Sequence, residues 1–464
     1  MAKTPSTARK SAAKTGAAKK TLSAANLETL GGERLAVLLM EMAGEDQGWK
    51  RRLRMELAAE VGAGDLALEI DKRLTTLAGS RTRVSWRKRP ELLADLQALR
   101  RMIVSRLAVM DARLGLDRLV AWFDLYPGLS LRVKDPKGEL ALMFDEASGD
   151  LAMAASAAGP DVAAPVLLEA LSTRLSEWGA WVGRGAHAMD RPLAARVLTG
   201  LTEGRPRPTG RLALVVRKLA DRAGDLDAWI ASLPDEDRLK PEVGAEIARR
   251  LAEAERPLEA RAALKASRPR LVEASRWGRR EPEPPPPPPE AWLSAEIAVL
   301  EAEGDPVGAS EARWILFERT LAEAPLRAEI AKLADFEDVV ALDRAFAHAA
   351  VFPDATKGLA FLMAWPAHRE AAEMIALRGG EVRGSADDVP LWAARLEGRY
   401  PAAALSLIRS RALTVARLAG GVDAEVEALI GEAAALDATL PDQTHADFLA
   451  RLEDVVRPPK RGWR

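Results

Sequence analysis

The residues able to do chemistry in this 464-residue chain are few and dispersed. Its four histidines, His187, His348, His368 and His445, stand in no ligand spacing such as HExxH and offer few bases for a serine triad. Solvated or capping roles account for them. Asp335, Glu337 and Asp338 in the run DFED have the donor type for a hard cation. Three acids at a helix start also complement the helix dipole, so an N-cap at Asp335 is the expected role. Gly62-Ala63-Gly64 and Gly183-Arg184-Gly185 lack the third glycine and the preceding strand that a phosphate-cradling loop needs, and neither GxxxxGK[ST] nor GxSxG occurs. The absence of cysteine excludes disulfides, thiolate catalysis and cysteine-bound zinc or iron–sulfur centres. No catalytic, cofactor-binding or metal residue is therefore assigned, no cofactor is expected, and the chain reads as non-enzymatic.

One cluster remains. Between Ser80 and Arg106 the chain carries Arg81, Arg83, Arg87, Lys88, Arg89, Arg100, Arg101 and Arg106 against Glu91 and Asp95. Trp86 sits among these cations, where an indole can stack on a base or sugar while arginines and lysines hold phosphates. Arg81, Arg83, Trp86, Arg87, Lys88, Arg89, Arg100 and Arg101 form the candidate charged contact surface. The competing expectation is that Trp86 packs in the core at a helix start and the cations form a solvated collar, because no nucleic-acid motif accompanies them.

The elements that must position these residues read as helices. Ala, Leu, Arg and Glu dominate, and β-branched runs of alternating polarity are scarce. Pro90 falls where a first helical turn starts, and Leu92, Leu93, Leu96, Leu99, Ile103 and Leu107 then make one apolar stripe. The stretch from Trp292 to Leu342 reads as four short amphipathic helices, with Ile297, Leu300, Ala309, Ala312, Ile315 and Leu316 on buried faces. Breaks are expected at Gly304-Asp305-Pro306, at Ala324-Pro325 and at Asp335. Elsewhere KGELALMFDEASGDLAMAAS reads as one long helix, and Asn26 as the cap of the helix around Leu27. In PAAALSLIRSRALTVARLA, Ala404, Leu407, Ile408, Leu413 and Leu418 mark a buried face. The pair EIARRLAEAERPLEARAALKAS has tetratricopeptide-like spacing, with Leu251 and Ala254 on a first helix and Ala260 and Leu264 on a second. Short amphipathic helices that recur in this way predict an all-α fold of stacked antiparallel helix pairs, an α-solenoid or tetratricopeptide-like superhelix.

Residues 1–22 form a basic tail too poor in apolar surface to order itself. Removing the six positive charges of residues 1–20 from the formal net of -1 leaves about -7 for the remainder. No secretory signal and no apolar run of membrane-spanning length follow, so a cytoplasmic location is expected. The remaining divisions read as an N-terminal helical region at 23–130, a middle helical-repeat region at 131–280, a proline-rich linker or inserted loop at 281–289, a C-terminal helical-repeat region at 290–456 and a basic tail at 457–464. The run EPEPPPPPPE is expected to adopt polyproline II, about 25 Å long at roughly 3.1 Å per residue. It reads as a stiff insertion with the same architecture on either side.

SWRKRPELLADLQALRRMI, GELALMFDEASGDLAMAA, ARWILFERTLAEAPLRAEIAKLADFEDVVAL, FLMAWP, YPAAALSLIRS, HADFLARL and KRGW occur in this order. In this set the chain resembles an uncharacterised bacterial all-helical domain family of unknown function, whose C-terminal half is similar to tetratricopeptide arrays. That resemblance implies a fold and no site. The expected function is a helical-repeat scaffold for an unknown protein or peptide partner. The alternative is a nucleic-acid-associated protein using the basic tail and the Arg81–Arg106 segment.

Overall fold

Gly304-Asp305-Pro306 illustrates how this chain turns. Gly304 ends the helix Glu290–Glu303 in the left-handed region at φ 75°. The Asp305 carboxylate accepts from the Gly308 N–H at 2.9 Å, and Pro306 opens the helix Pro306–Thr320, where its missing N–H is no loss. Aspartate caps of the same kind start helices at Asp46, Asp111, Asp190, Asp225, Asp354 and Asp423.

A computed structural model describes residues 21–269 and 286–456. Most of the N-terminal basic tail, the first residues of the proline-rich run and the basic tail at 457–464 lie outside the described residues. Among the described residues the fold is all-helical, with a single isolated bridge between Val84 and Val133. The chain divides into two compact units, Met1–Pro234 and Asp235–Arg464.

Within each unit a helix packs on its successor and often on the next but one. In the first, Pro160–Thr173 packs on Arg191–Thr202, and Leu175–Gly185 on Gly210–Ala223. In the second, Pro241–Glu253 packs on both Pro257–Ala266 and Glu290–Glu303. The last contact joins helices on either side of the proline run, and Trp292 Nε1 donates to the Leu264 carbonyl across the same join at 3.2 Å. Helix packing thus continues past the proline run.

The first unit is centred on an aromatic cluster. Trp122, Phe123, Phe144, Trp178 and Trp181 are buried; Trp122 stacks on Phe144 with centroids 4.1 Å apart, and Phe123 lies 4.8 Å from Trp181. The stripe read from Pro90 onward supplies Leu96, Leu99, Ile103 and Leu107 to this unit's core. In the second unit Phe317, Leu359, Phe361, Leu362, Trp392, Leu396 and Phe448 share one cluster.

Several local expectations are corrected. The break expected at Ala324-Pro325 falls earlier: the helix Glu323–Ile330 contains Pro325 in its first turn, and Leu321 turns the chain at φ 52°. A left-handed leucine costs roughly 1–2 kcal/mol, which burial of its side chain offsets. Asp335 is not the N-cap of Glu337–Val351; Phe336 holds that position at φ 74°, without a side-chain cap. The first helix is capped by Ser23 rather than Asn26. KGELALMFDEASGDLAMAAS is two helices, Glu139–Glu146 and Ser148–Ala158. Ile315 and Leu418 are exposed, as is Ala254, because tertiary neighbours select only part of each apolar stripe. In Glu290–Glu303 the buried face is Trp292, Ala295 and Val299 rather than Ile297 and Leu300.

Candidate functional site

The structure divides the candidate charged surface in two. Arg81, Arg83, Trp86, Arg87 and Lys88 are exposed on the connection between the helices Ala63–Gly79 and Arg89–Met102, and Arg101 is exposed on the second helix. Trp86 is 64% exposed, so the core-packing expectation for it is overturned. It follows the paired Val84 in an outward turn, and the Arg87 guanidinium lies 5.2 Å from its ring centroid. Arg89 and Arg100, by contrast, are spent within the fold. Arg89 pairs with Glu139 at 3.0 Å and donates to the Lys134 carbonyl. Arg100 pairs with Asp150 at 2.6 Å.

The exposed connection is pinned. The Val84 N–H donates to the Arg132 carbonyl at 2.9 Å, and the Arg132 guanidinium donates to the carbonyls of Leu77 at 2.8 Å and Thr82 at 3.4 Å. Burial without a carboxylate partner lowers the Arg132 pKa from its ordinary value. This pairing lays Val133 and the exposed Lys134 beside Val84, a juxtaposition that no local sequence signal announces.

A second feature of the same unit is a groove of about 1200 Å³ between Leu175–Gly185 and Gly210–Ala223. Gly179, Ala180, Gly183 and Val215 line its small-residue side. A Cβ on Gly179 would lie 3.3 Å from Leu175 Cδ1 and 3.5 Å from Val215 Cγ2, so glycine there lets the two helices approach. Leu214 is 57% exposed in the groove, and Arg184, Arg211, Lys218 and Arg222 surround it, with Asp221 the one carboxylate among its lining residues. Gly183-Arg184-Gly185 thus belongs to a helix beside this groove.

The most deeply buried charges lie in the second unit. Arg313, 2% exposed, bonds Glu329 at 2.8 Å and also bonds Glu301; Ser310 donates to Glu329, and Lys332 reaches Glu301 at 2.6 Å. Burial raises the Glu301 pKa, but Lys332 and Arg313 outweigh it and hold the group below its ordinary 4.5. Glu246 is also held below 4.5 against burial, by Arg250 and Arg249; Glu303 is held below it by Arg261. Each such group adds stability above the unfolded value near 4.5 that is lost as pH falls through the lower folded value. Glu296 has the opposite sign, since burial raises it despite Arg261 and Arg268. Among the described residues six carboxylates, Glu246, Glu259, Glu301, Glu303, Glu370 and Asp437, are held low against Glu296 raised, which predicts a fall in thermal midpoint on acidification below about pH 4.5, shallower in Glu301→Gln; midpoints flat from neutrality into that range would contradict it.

The histidines remain dispersed: His348 Nε2–H donates to the Glu318 carbonyl at 2.7 Å, and His187 Nδ1–H to that of Arg184 at 2.8 Å. Among the described residues no group of three or more His, Asp or Glu side chains has metal-holding geometry, and no helix is long and apolar enough to cross a membrane. The DFED acids serve locally, Asp338 accepting from the Val339 N–H at 2.9 Å.

Two stretches, residues 17–177 and 163–420, match one family model, described as a family of unknown function. No curated protein and no solved structure matches the chain.

Proposed function

The chain belongs to the family of unknown function DUF6880, and from that premise we propose that it is a non-enzymatic helical-repeat scaffold whose stacked helix pairs form a tetratricopeptide-like α-solenoid that binds a protein or peptide. The observation that carries this reading is the groove between Leu175–Gly185 and Gly210–Ala223. It is open, has small residues and an exposed leucine along its length, and is bordered by cations, which suits an extended or helical segment bearing apolar and acidic side chains. The packing of helices on next-but-one neighbours within each unit supports the solenoid part. A cytoplasmic location belongs to the same proposal.

Ala180→Arg with Leu214→Asp tests it, because both positions are exposed and tolerate the change without unfolding. Tagged full-length protein should capture a protein from its own lysate with or without nuclease, and the double variant should lose that protein while keeping its melting curve. Capture that survives the double substitution, or that disappears with nuclease, removes the reading.

The nucleic-acid alternative has one observation in its favour, the exposed Trp86 among Arg81, Arg83, Arg87 and Lys88. Under that reading a labelled single-stranded oligonucleotide binds with steep salt dependence and is released by Trp86→Ala with Arg83→Ala. Binding indifferent to both salt and these substitutions would dismiss it.

A further inference from the structure

The second unit contains a cleft of about 540 Å³ that the scaffold reading leaves unused. It is bounded by the helix Pro401–Ala419, the turn at Gly380–Arg383 and the segment from Leu440 to Arg451. Its lining residues include four arginines, Arg383, Arg409, Arg417 and Arg451, against the single carboxylate of Asp442.

Three of these arginines have no carboxylate partner among the described residues. Arg383 is held by the carbonyls of Gly380 at 2.6 Å and Val382 at 3.2 Å, and Arg451 Nε reaches only the Asp447 carbonyl at 3.4 Å. Arg417 is exposed and makes no ion pair. Arg409 is anchored instead: it bonds Asp437 at 2.7 Å and Thr444 Oγ1 at 2.8 Å, its guanidinium lies 5.4 Å from the Phe448 ring centroid, and its Nε is buried without a hydrogen-bond partner. Asp437 is fully engaged elsewhere, accepting also from the N–H groups of Thr444 and His445. It therefore cannot neutralise the other three.

The same helix presents Ser406, Ser410 and Thr414 to the cleft at four-residue spacing, the Thr414 hydroxyl donating to the Ser410 carbonyl at 2.9 Å. Leu413, Leu440 and Pro441 supply an accessible apolar wall, with Leu405 and Phe448 buried behind it. Uncompensated guanidinium groups in a concave site focus positive potential, and their planar forks match the paired oxygens of a phosphate. A single carboxylate offers two oxygens, too few for this many donors; a phosphate ester dianion offers three. The volume falls within the range of small-molecule sites.

We propose that this cleft binds a small organic phosphate, its phosphate on Arg417 and Arg451 and its organic body against Leu413 and Leu440. The proposal does not rest on the scaffold reading, whose groove lies in the other unit.

Titration calorimetry of the full-length chain with ADP and with inorganic pyrophosphate tests it. One site per chain is expected, at which the two probes compete, ADP binds more tightly, and added salt weakens both. Arg417→Ala with Arg451→Ala should weaken binding about tenfold or more, since both charged donors to the phosphate are lost. Both side chains are exposed, so circular dichroism should stay unchanged in that variant. Leu413→Trp, which fills the apolar side, should weaken ADP more than pyrophosphate. Arg83→Ala with Arg87→Ala, on the other unit, should leave binding intact. The inference is overturned if neither probe binds at millimolar concentration in low salt, or if binding persists in the Arg417/Arg451 variant.

Discussion

Arg313→Met is expected to destabilise the protein by about 3–5 kcal/mol, because it leaves the buried Glu329 without its cation. Both partners are almost wholly enclosed, with side-chain exposures of 2% and 5%, and the Arg313 Nη1–Glu329 Oε2 bond is 2.8 Å long. Burial by itself disfavours the charged guanidinium, but its bonds to Glu301 and Glu329 more than offset this and raise the Arg313 pKa. Removing the cation takes away that compensation while keeping the penalty on the acid. Ser310 still donates to one Glu329 oxygen, which moderates the loss without replacing a charge. Arg313→Met combined with Glu329→Leu should recover most of the stability, since an apolar pair of similar volume avoids both desolvation penalties. Chemical denaturation of the two single variants and the double variant gives the coupling directly. Additive effects, with the double variant as unstable as the sum of the singles, would mean that the pair is not the structural unit described.

The aromatic cluster of the first unit gives the other large effect. Trp122→Ala should destabilise by roughly 3–5 kcal/mol, the usual range for truncating a fully buried large aromatic. Trp122 has 0% exposure, stacks on Phe144, meets Phe123 edge-on at 5.2 Å and donates from Nε1 to the Leu96 carbonyl at 3.1 Å. Truncation removes all three contacts and leaves a cavity that Phe123, Phe144 and Trp181 cannot close without leaving their own contacts. Trp122→Phe should lose less, because the ring stacking survives and chiefly the indole hydrogen bond and part of the volume are lost. Urea unfolding followed by far-ultraviolet dichroism checks the order of the two variants. Equal losses in both would shift the weight from packing to the single hydrogen bond.

Much of the helical skeleton was legible because the rules for it act over a few residues. Gly304, Asp305 and Pro306 specify a stop, a cap and a start without reference to anything distant. The stripe Leu96, Leu99, Ile103 and Leu107 is buried as its spacing predicts. Leu418 and Ile315 fit the same periodicity and are exposed, since a stripe states which face is apolar and not how much of it finds a neighbour. Leu321 escaped notice for the reverse reason: its local preference opposes the left-handed turn that its burial sustains.

By itself the sequence determined an all-helical chain, its family, and the concentration of cations around Trp86. Only the tertiary structure decided which of those cations are available. Arg100 is neutralised by an aspartate 50 residues away, and Arg89 bonds a carbonyl 45 residues away, while Arg83, Arg87 and Lys88 stay on the surface and gain Lys134 as a neighbour. The cleft around Arg409 likewise draws on segments separated along the chain, with Arg409 reaching Thr444 across 35 positions. Helix propensity and capping are local quantities, whereas the charge left over at a surface is a difference between distant side chains, and that difference exists only once the helices have packed.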